Sequence, residues 1–152
     1  MINDNTEIRI LVQKELPRAL SLVREVFLQF EAPEYSVQGI REFYNFLDDS
    51  AEIARLTFYG AFSGRQILGV LAMRGLHISL FFVHPAHHRH GLGRSLFDTA
   101  RQKIPNSVLT VNSSPYAVKI YRRLGFHATD CEQVTNGIRY IPMSYRPSCH
   151  DN

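Results

Sequence analysis

The stretch FFVHPAHHRHGLGRSL, Phe81 to Leu96, decides how the rest of the chain is read. An apolar run ends at Pro85. Four histidines, His84, His87, His88 and His90, then fall within seven residues, and Gly91-Leu92-Gly93 follows at once. The stretch can be read as a metal site, a phosphate cradle or a solvated loop. A structural zinc site usually draws about four ligands, often cysteines, from two spaced half-sites. The two cysteines, Cys131 and Cys149, are distant in the sequence, and no second half-site stands upstream. Imidazoles crowded on one loop also do not converge readily on one ion, so no metal is expected.

The anion reading is stronger. The first turn of a helix exposes unpaired N–H groups and a partial positive charge. Glycine permits the tight entry and lets phosphate oxygens come close to the backbone. His88, Arg89, His90 and Arg94 add positive character around that point. Two other phosphate loops are excluded: there is no Gly-x4-Gly-Lys-Ser/Thr, and Leu96 stands where the dinucleotide fingerprint needs its third glycine.

Working outward, the 152 residues suit one domain with a hydrophobic core, expected over 1–152 with a core of about 6–146 and a tail at 147–152. Apolar residues make up 45% and charged residues 20%, which excludes a disordered or collagen-like chain. The net charge of +3 suits an anionic ligand but is too small to argue for nucleic acid. Two cysteines are too few for a disulfide scaffold. The start, MINDNTEIRI, lacks the basic and apolar regions of a secretory signal, and no apolar run approaches the ~20 residues of a membrane span. The expectation is a cytoplasmic protein with no membrane partner.

Residues 8–12 read as a strand. Leu16, Ala19, Leu20, Val23, Val26, Phe27 and Phe30 then recur at helical spacing, with Pro17 in the first turn. The segment APEYS breaks this helix, and Ser36 can cap a second one carrying Ile40, Phe43, Tyr44 and Leu47. Two strands flank Ser63-Gly64 as a hairpin, and HISLFFV is a buried strand. A helix opens at Gly91, the strand SVLTVN follows, and a further helix runs from Ser114 to Gly125. A final strand pair is expected around Asn136-Gly137. From residue 77 onward strands and helices alternate behind an antiparallel hairpin. The class is therefore α/β (α+β): a mixed sheet with helices on its faces, and a parallel pair joined by the crossover helix.

Two segments, LFFVHPAHHRHGLGRSLFDTA (residues 80–100) and LTVNSSPYAVKIYRRLGF (109–126), resemble the GNAT superfamily of acyl-CoA-dependent N-acetyltransferases. The first matches that family's V-x-P and Q/R-x-x-G-x-G/A segment. The second matches its strand, its Asn-x-x-Ala-x-x-x-Tyr helix and its closing Gly-Phe. Two positions depart: His88 replaces the family's Gln/Arg, and Ser114 replaces its usual Asn, with Asn112 two residues earlier.

The resemblance implies a mostly antiparallel sheet of about six to seven strands, its central parallel pair splayed for CoA, with helices on both faces. It implies acetyl-CoA as co-substrate. The pyrophosphate would sit on the N–H groups from Arg89 through His90, Gly91, Leu92, Gly93 and Arg94 to Ser95, beside His88. The N–H of Phe82 or Val83 would face the thioester oxygen, and Asn112, Ser114 and Ala117 would lie along the cofactor. Tyr121 takes the part of the general acid. His77 or Glu34 is the candidate base, with Glu31 beside Glu34 as a further alternative. Glu31, Glu34 and Tyr35, in the break between the first two helices, are the candidate amine-binding residues.

The implied function is acetyl transfer to a primary amine of a small molecule or peptide. The alternative is a non-catalytic module that binds acetyl-CoA or CoA. A nucleic-acid partner is not expected, because no aromatic-basic groove pattern accompanies the histidine loop. The final hairpin offers an edge for pairing into a homodimer.

Overall fold

The structure, a computed structural model, describes residues 5–88 and 90–148. Arg89 and Cys149 lie outside the described residues. The eight strands of the described residues are β1 (Thr6–Ile10), β2 (Thr57–Ser63), β3 (Gln66–Arg74), β4 (His77–Val83), β5 (Leu109–Ser113), β6 (Phe126–Ala128), β7 (Gln133–Thr135) and β8 (Ile138–Tyr145). The helices are α1 (Leu16–Phe30), α2 (Val37–Asp48), α3 (Ser50–Ile53), α4 (Leu92–Gln102) and α5 (Val118–Leu124).

Strands β1 to β4 form an antiparallel meander. Strand β4 then pairs in parallel with β5, as the crossover through α4 requires. The sheet runs β1-β2-β3-β4-β5-β8-β6, with β7 paired to β8 outside that path. The expected mixed fold with its parallel pair is therefore present, with eight strands rather than about six or seven. The final segment differs from the single strand pair read from the sequence. Strand β8 inserts between β5 and β6, antiparallel to both, and also carries β7 through the Asn136-Gly137 turn. Both turn residues have positive φ, 53° and 81°, as a two-residue hairpin turn demands.

Helices cover both faces. Ala19, Val23, Val26 and Phe27 of α1 and Leu47 of α2 pack with Phe58, Val70, Leu80 and Phe82 on one side. Leu92, Leu96, Phe97 and Ala100 of α4, with Tyr121 and Leu124 of α5, pack against Leu71, Ile78, Val111 and Phe126 on the other. The helical spacing of these residues is what folds each segment as a helix on the sheet. Ser36 caps α2 by accepting from the Gly39 N–H at 3.1 Å, and Asp49 caps the short α3 through the N–H groups of Ala51 and Glu52. The Glu15 carboxylate accepts two bonds from the Arg9 guanidinium, at 2.8 and 2.6 Å, and one from the Val12 N–H, tying β1 to the start of α1.

Candidate active site

The parallel pair is short. Only His77↔Thr110 and Ile78↔Val111 face each other. Beyond them β4 continues with β3, and β5 continues with β8. Ala72 stands opposite Leu80 while Met73 stands opposite Ile78, so Ser79 is the extra residue of a bulge. A bulge bends its strand and increases its twist. The sheet therefore opens between Phe81–Val83 and the segment that follows β5, and a cavity of about 430 Å³ lies there.

One wall of the cavity is β4 itself. In an antiparallel ladder the N–H and C=O of one residue point the same way, alternating along the strand. The His84 N–H reaches the Leu68 carbonyl at 2.7 Å. Phe82, two residues back, therefore turns its backbone toward β3 as well, which corrects the expectation that its N–H faces the cleft. Val83 and Phe81 turn theirs into the split. The Val83 carbonyl on that side accepts from His88 Nε2 at 2.7 Å. This bond places the ring proton on Nε2 and gives His88 a side-chain task at the position where the sequence departs from the Gln/Arg pattern.

The second wall is the start of α4. Gly91 precedes it with φ 81°, a left-handed conformation that only glycine adopts cheaply, and no side chain caps the helix. The first intrahelical bond runs from the Ser95 N–H to the Gly91 carbonyl at 3.0 Å. The N–H of Ser95 is thus committed to the helix, which corrects its expected place in the cradle. The N–H groups of Leu92, Gly93 and Arg94 precede that bond, in the turn whose donors lack intrahelical partners. Gly91, Gly93, Arg94, His87 and His88 line the cavity. The Leu92 side chain is buried in the core, and exposed His90 stands outside the lining with its ring 6.5 Å from that of His87. Among the described residues no group of three or more His, Cys, Asp or Glu is placed to hold a metal.

The third wall comes from α5 and the turn before it. Ser114 is buried and caps this turn, its Oγ accepting from the Ala117 N–H at 3.2 Å. Tyr116, Ala117, Lys119, Ile120, Tyr121 and Arg123 line the cavity. Tyr121 packs edge-on against Phe81 and Phe126, at 5.9 and 5.4 Å. Burial, with a smaller contribution from Glu31, pushes its phenol well above the usual range, so it stays protonated. Asn112 is exposed on β5 opposite Pro142, outside the lining.

The end of α1 closes the space with Val26, Phe30 and Glu31. The Phe30 ring stands 5.0 Å from His88 and 5.6 Å from Tyr116, spanning the two arms of the cleft. Burial, reinforced by Glu34, raises the Glu31 carboxyl to about 7, while a hydrogen bond from Ser114 opposes the rise. The other residues read as bases sit elsewhere. His77 occupies the far end of β4, with Nδ1 2.8 Å from Thr110 Oγ1. Burial and the charge of Arg74 lower its pKa. Glu34 is exposed in the 3-10 turn Ala32–Glu34, its backbone carbonyl accepting from Arg139 at 3.5 Å. Neither lines the cavity. Tyr35 packs edge-on against Phe27 at 5.1 Å, and burial pushes its phenol upward, followed by the charge of Glu31.

Sequence reasoning missed Phe30, Tyr116, Lys119 and Arg123. The signal was available for α5, because 116, 119, 120 and 123 share one helix face that carries two cations. The arrangement suits a diphosphate ester with a long arm: uncapped N–H donors, three cations at Arg94, Lys119 and Arg123, and an apolar interior at Val26, Phe30 and Phe81.

Known proteins share this architecture. A GCN5-related N-acetyltransferase from Rhodopseudomonas palustris superposes with a TM-score of 0.80 at 19% identity, over 97% of this chain and 99% of that one. PaiA N-acetyltransferase from Thermoplasma acidophilum, solved in complex with coenzyme A, gives 0.69 at 20% identity over 93% and 99%. In sequence, 68 residues are 32% identical to the peptidyl-lysine N-acetyltransferase YiaC of Escherichia coli, a match that spans 43% of this chain and 47% of that enzyme. The family model described as the acetyltransferase (GNAT) domain matches residues 31–147. The chain belongs to the GNAT acetyltransferase family.

Proposed function

We propose that this protein moves an acetyl group from acetyl-CoA to a primary amine of a small molecule or a peptide by direct attack. The observation that carries the reading is the split between β4 and β5: one cavity holds an uncapped helix start, inward backbone donors on β4 and a buried, protonated phenol. The diphosphate lies on the N–H groups of Leu92 to Arg94, with Arg94, Lys119 and Arg123 around it. The thioester oxygen faces the Val83 N–H, whose hydrogen bond strengthens as negative charge develops on that oxygen. A neutral amine attacks the carbonyl carbon, the C–S bond breaks, and the Tyr121 phenol protonates the departing thiolate. The acceptor reaches the carbonyl from the end of α1.

YiaC acts on peptidyl lysine by its name, and this supports including peptide amines among the acceptors. The test is calorimetric titration with CoA and acetyl-CoA, then thiol release over polyamines, amino acids, aminoglycosides and lysine peptides. Tyr121→Phe is expected to bind acetyl-CoA as the parent does and to lose about a hundredfold in kcat. Binding without thiol release from any amine would instead identify a CoA-binding module. Failure to bind CoA would overturn both readings.

A further inference from the structure

Among the described residues that line the cleft one carries a carboxyl group, and its surroundings give it a task. Glu31 is the residue that ends α1, its N–H bonded to the Phe27 carbonyl at 2.9 Å. It lines the same cavity as Tyr121. Among the described residues no cation holds it: their ion pairs engage Glu7, Glu15, Asp48, Glu52, Asp98 and Glu132. The Ser114 hydroxyl, which comes from the opposite arm of the split, acts on it and works against the rise in its pKa. Ser114 is itself fixed, since its Oγ also accepts from the Ala117 N–H.

We infer that Glu31 is the base that takes a proton from the acceptor ammonium, and that Ser114 is the positioning residue that holds this carboxylate across the cleft. The inference rests on the acetyl-transfer reading. The ammonium gives one proton to Glu31 and becomes the neutral amine. The amine attacks the carbonyl carbon and C–S cleavage follows. The thiolate takes the Tyr121 proton, the phenolate regains a proton from the new amide nitrogen, and Glu31 returns its own to solvent. Each round releases amide, CoA thiol and one proton.

A carboxyl with its proton equilibrium near 7 is matched to this task, because a base works best when its pKa lies near the working pH. Tyr35, Glu34 and Tyr121 act on it electrostatically or are acted on by it, and His87, His88, Arg94, Lys119 and Arg123 share its cavity. The contact also gives the serine at position 114 a reason. Its hydroxyl caps the α5 turn and, from the same position, is the group inferred to hold Glu31.

The test joins spectroscopy to kinetics. In protein carrying 13Cδ-labelled glutamate, the signal lost in Glu31→Gln identifies Glu31. Its midpoint is expected near 7 in the parent, higher in Ser114→Ala, and restored in Ser114→Thr, which keeps the hydroxyl. The acidic limb of kcat/KM should follow the same midpoints, and Glu31→Gln should lose about a hundredfold together with that limb. An ordinary carboxylate midpoint, or one unmoved in Ser114→Ala, overturns the Ser114–Glu31 pairing. Full activity in Glu31→Gln overturns the base role and leaves acetyl transfer standing. Absence of thiol release from the parent with every amine overturns the transfer reading, and the base role with it.

Discussion

Gly39, in the first turn of α2, packs backbone to backbone against Gly137, in the turn between β7 and β8. A Cβ on Gly39 would stand 2.3 Å from the Gly137 carbonyl oxygen, and a Cβ on Gly137 would stand 2.6 Å from the Gly39 nitrogen. Ser36 Oγ adds a hydrogen bond to the same carbonyl at 3.2 Å. The contact seats the β7–β8 hairpin on the segment that carries Glu31, Glu34 and Tyr35. Gly39→Ala therefore meets backbone rather than a side chain that can turn aside. Overpacking of this kind costs about 1–3 kcal/mol. The expected outcome is a lower melting temperature and a raised KM for the amine, with the CoA dissociation constant unchanged. Thermal denaturation, acceptor titration and CoA calorimetry on one preparation check all three.

Gly93 separates a ligand role from a structural one. An added methyl there would lie 3.5 Å from Phe81 Cζ and 3.8 Å from Val83 Cγ2, ordinary contact distances. Alanine also favours a helix over glycine by up to about 1 kcal/mol. Gly93→Ala should thus keep or raise the melting temperature. Its methyl nevertheless occupies the cavity wall where a phosphate must approach the backbone, so CoA affinity should fall at least about tenfold. Unchanged CoA binding would place the diphosphate away from the start of α4.

The fold was legible where the signals are local. Apolar spacing in α1, α2 and α4, the Ser36 cap and the Asn136-Gly137 turn each state their structure within a few residues. The insertion of β8 between β5 and β6 is a tertiary choice, made by Met143 and Tyr145 packing with Phe126 and Phe97, and no window of sequence contains it. The site divides in the same way. The helix start at Gly91 to Gly93 and the Ala117–Tyr121 spacing were visible as pattern. His77 suggested a base by residue type, yet β4 carries it to the end of the strand away from the split. Glu31 stands out by its place in the break between two helices, but the cavity it lines with Val26, Phe30 and Tyr121 is built from two helices far apart in the chain, and no local pattern contains it.

Glu15 gives an acid-side prediction. Its carboxyl is held at about 2, first by the hydrogen bonds from Arg9 and then by that from the Val12 N–H. A lowered folded-state pKa contributes stability above the ordinary carboxylate value, and the contribution is lost as pH falls through the folded one. Glu15→Gln should be less stable than the parent in urea at pH 7. The gap should narrow below about pH 4.5 and close near pH 2. A gap that persists to pH 2 would assign the effect to packing instead of to the Arg9 ion pair.

Glu31 gives the opposite sign. Its carboxyl is raised from 4.5 in the open chain to about 7 in the fold. Between those values the folded protein keeps a proton that the unfolded chain has released, so stability falls as pH rises across the window and the loss is complete above about 7. A displacement of this size corresponds to about 3 kcal/mol at most. Glutamine has no charge to desolvate. Glu31→Gln should therefore be more stable than the parent at pH 8 and indistinguishable from it at pH 4, while losing activity. A stabilised, inactive variant is the behaviour of a group whose burial serves chemistry at the expense of the fold. Urea denaturation of both proteins at the two pH values decides it: equal stability at pH 8 would show a solvated carboxylate, which has no reason to serve as a base near neutral pH.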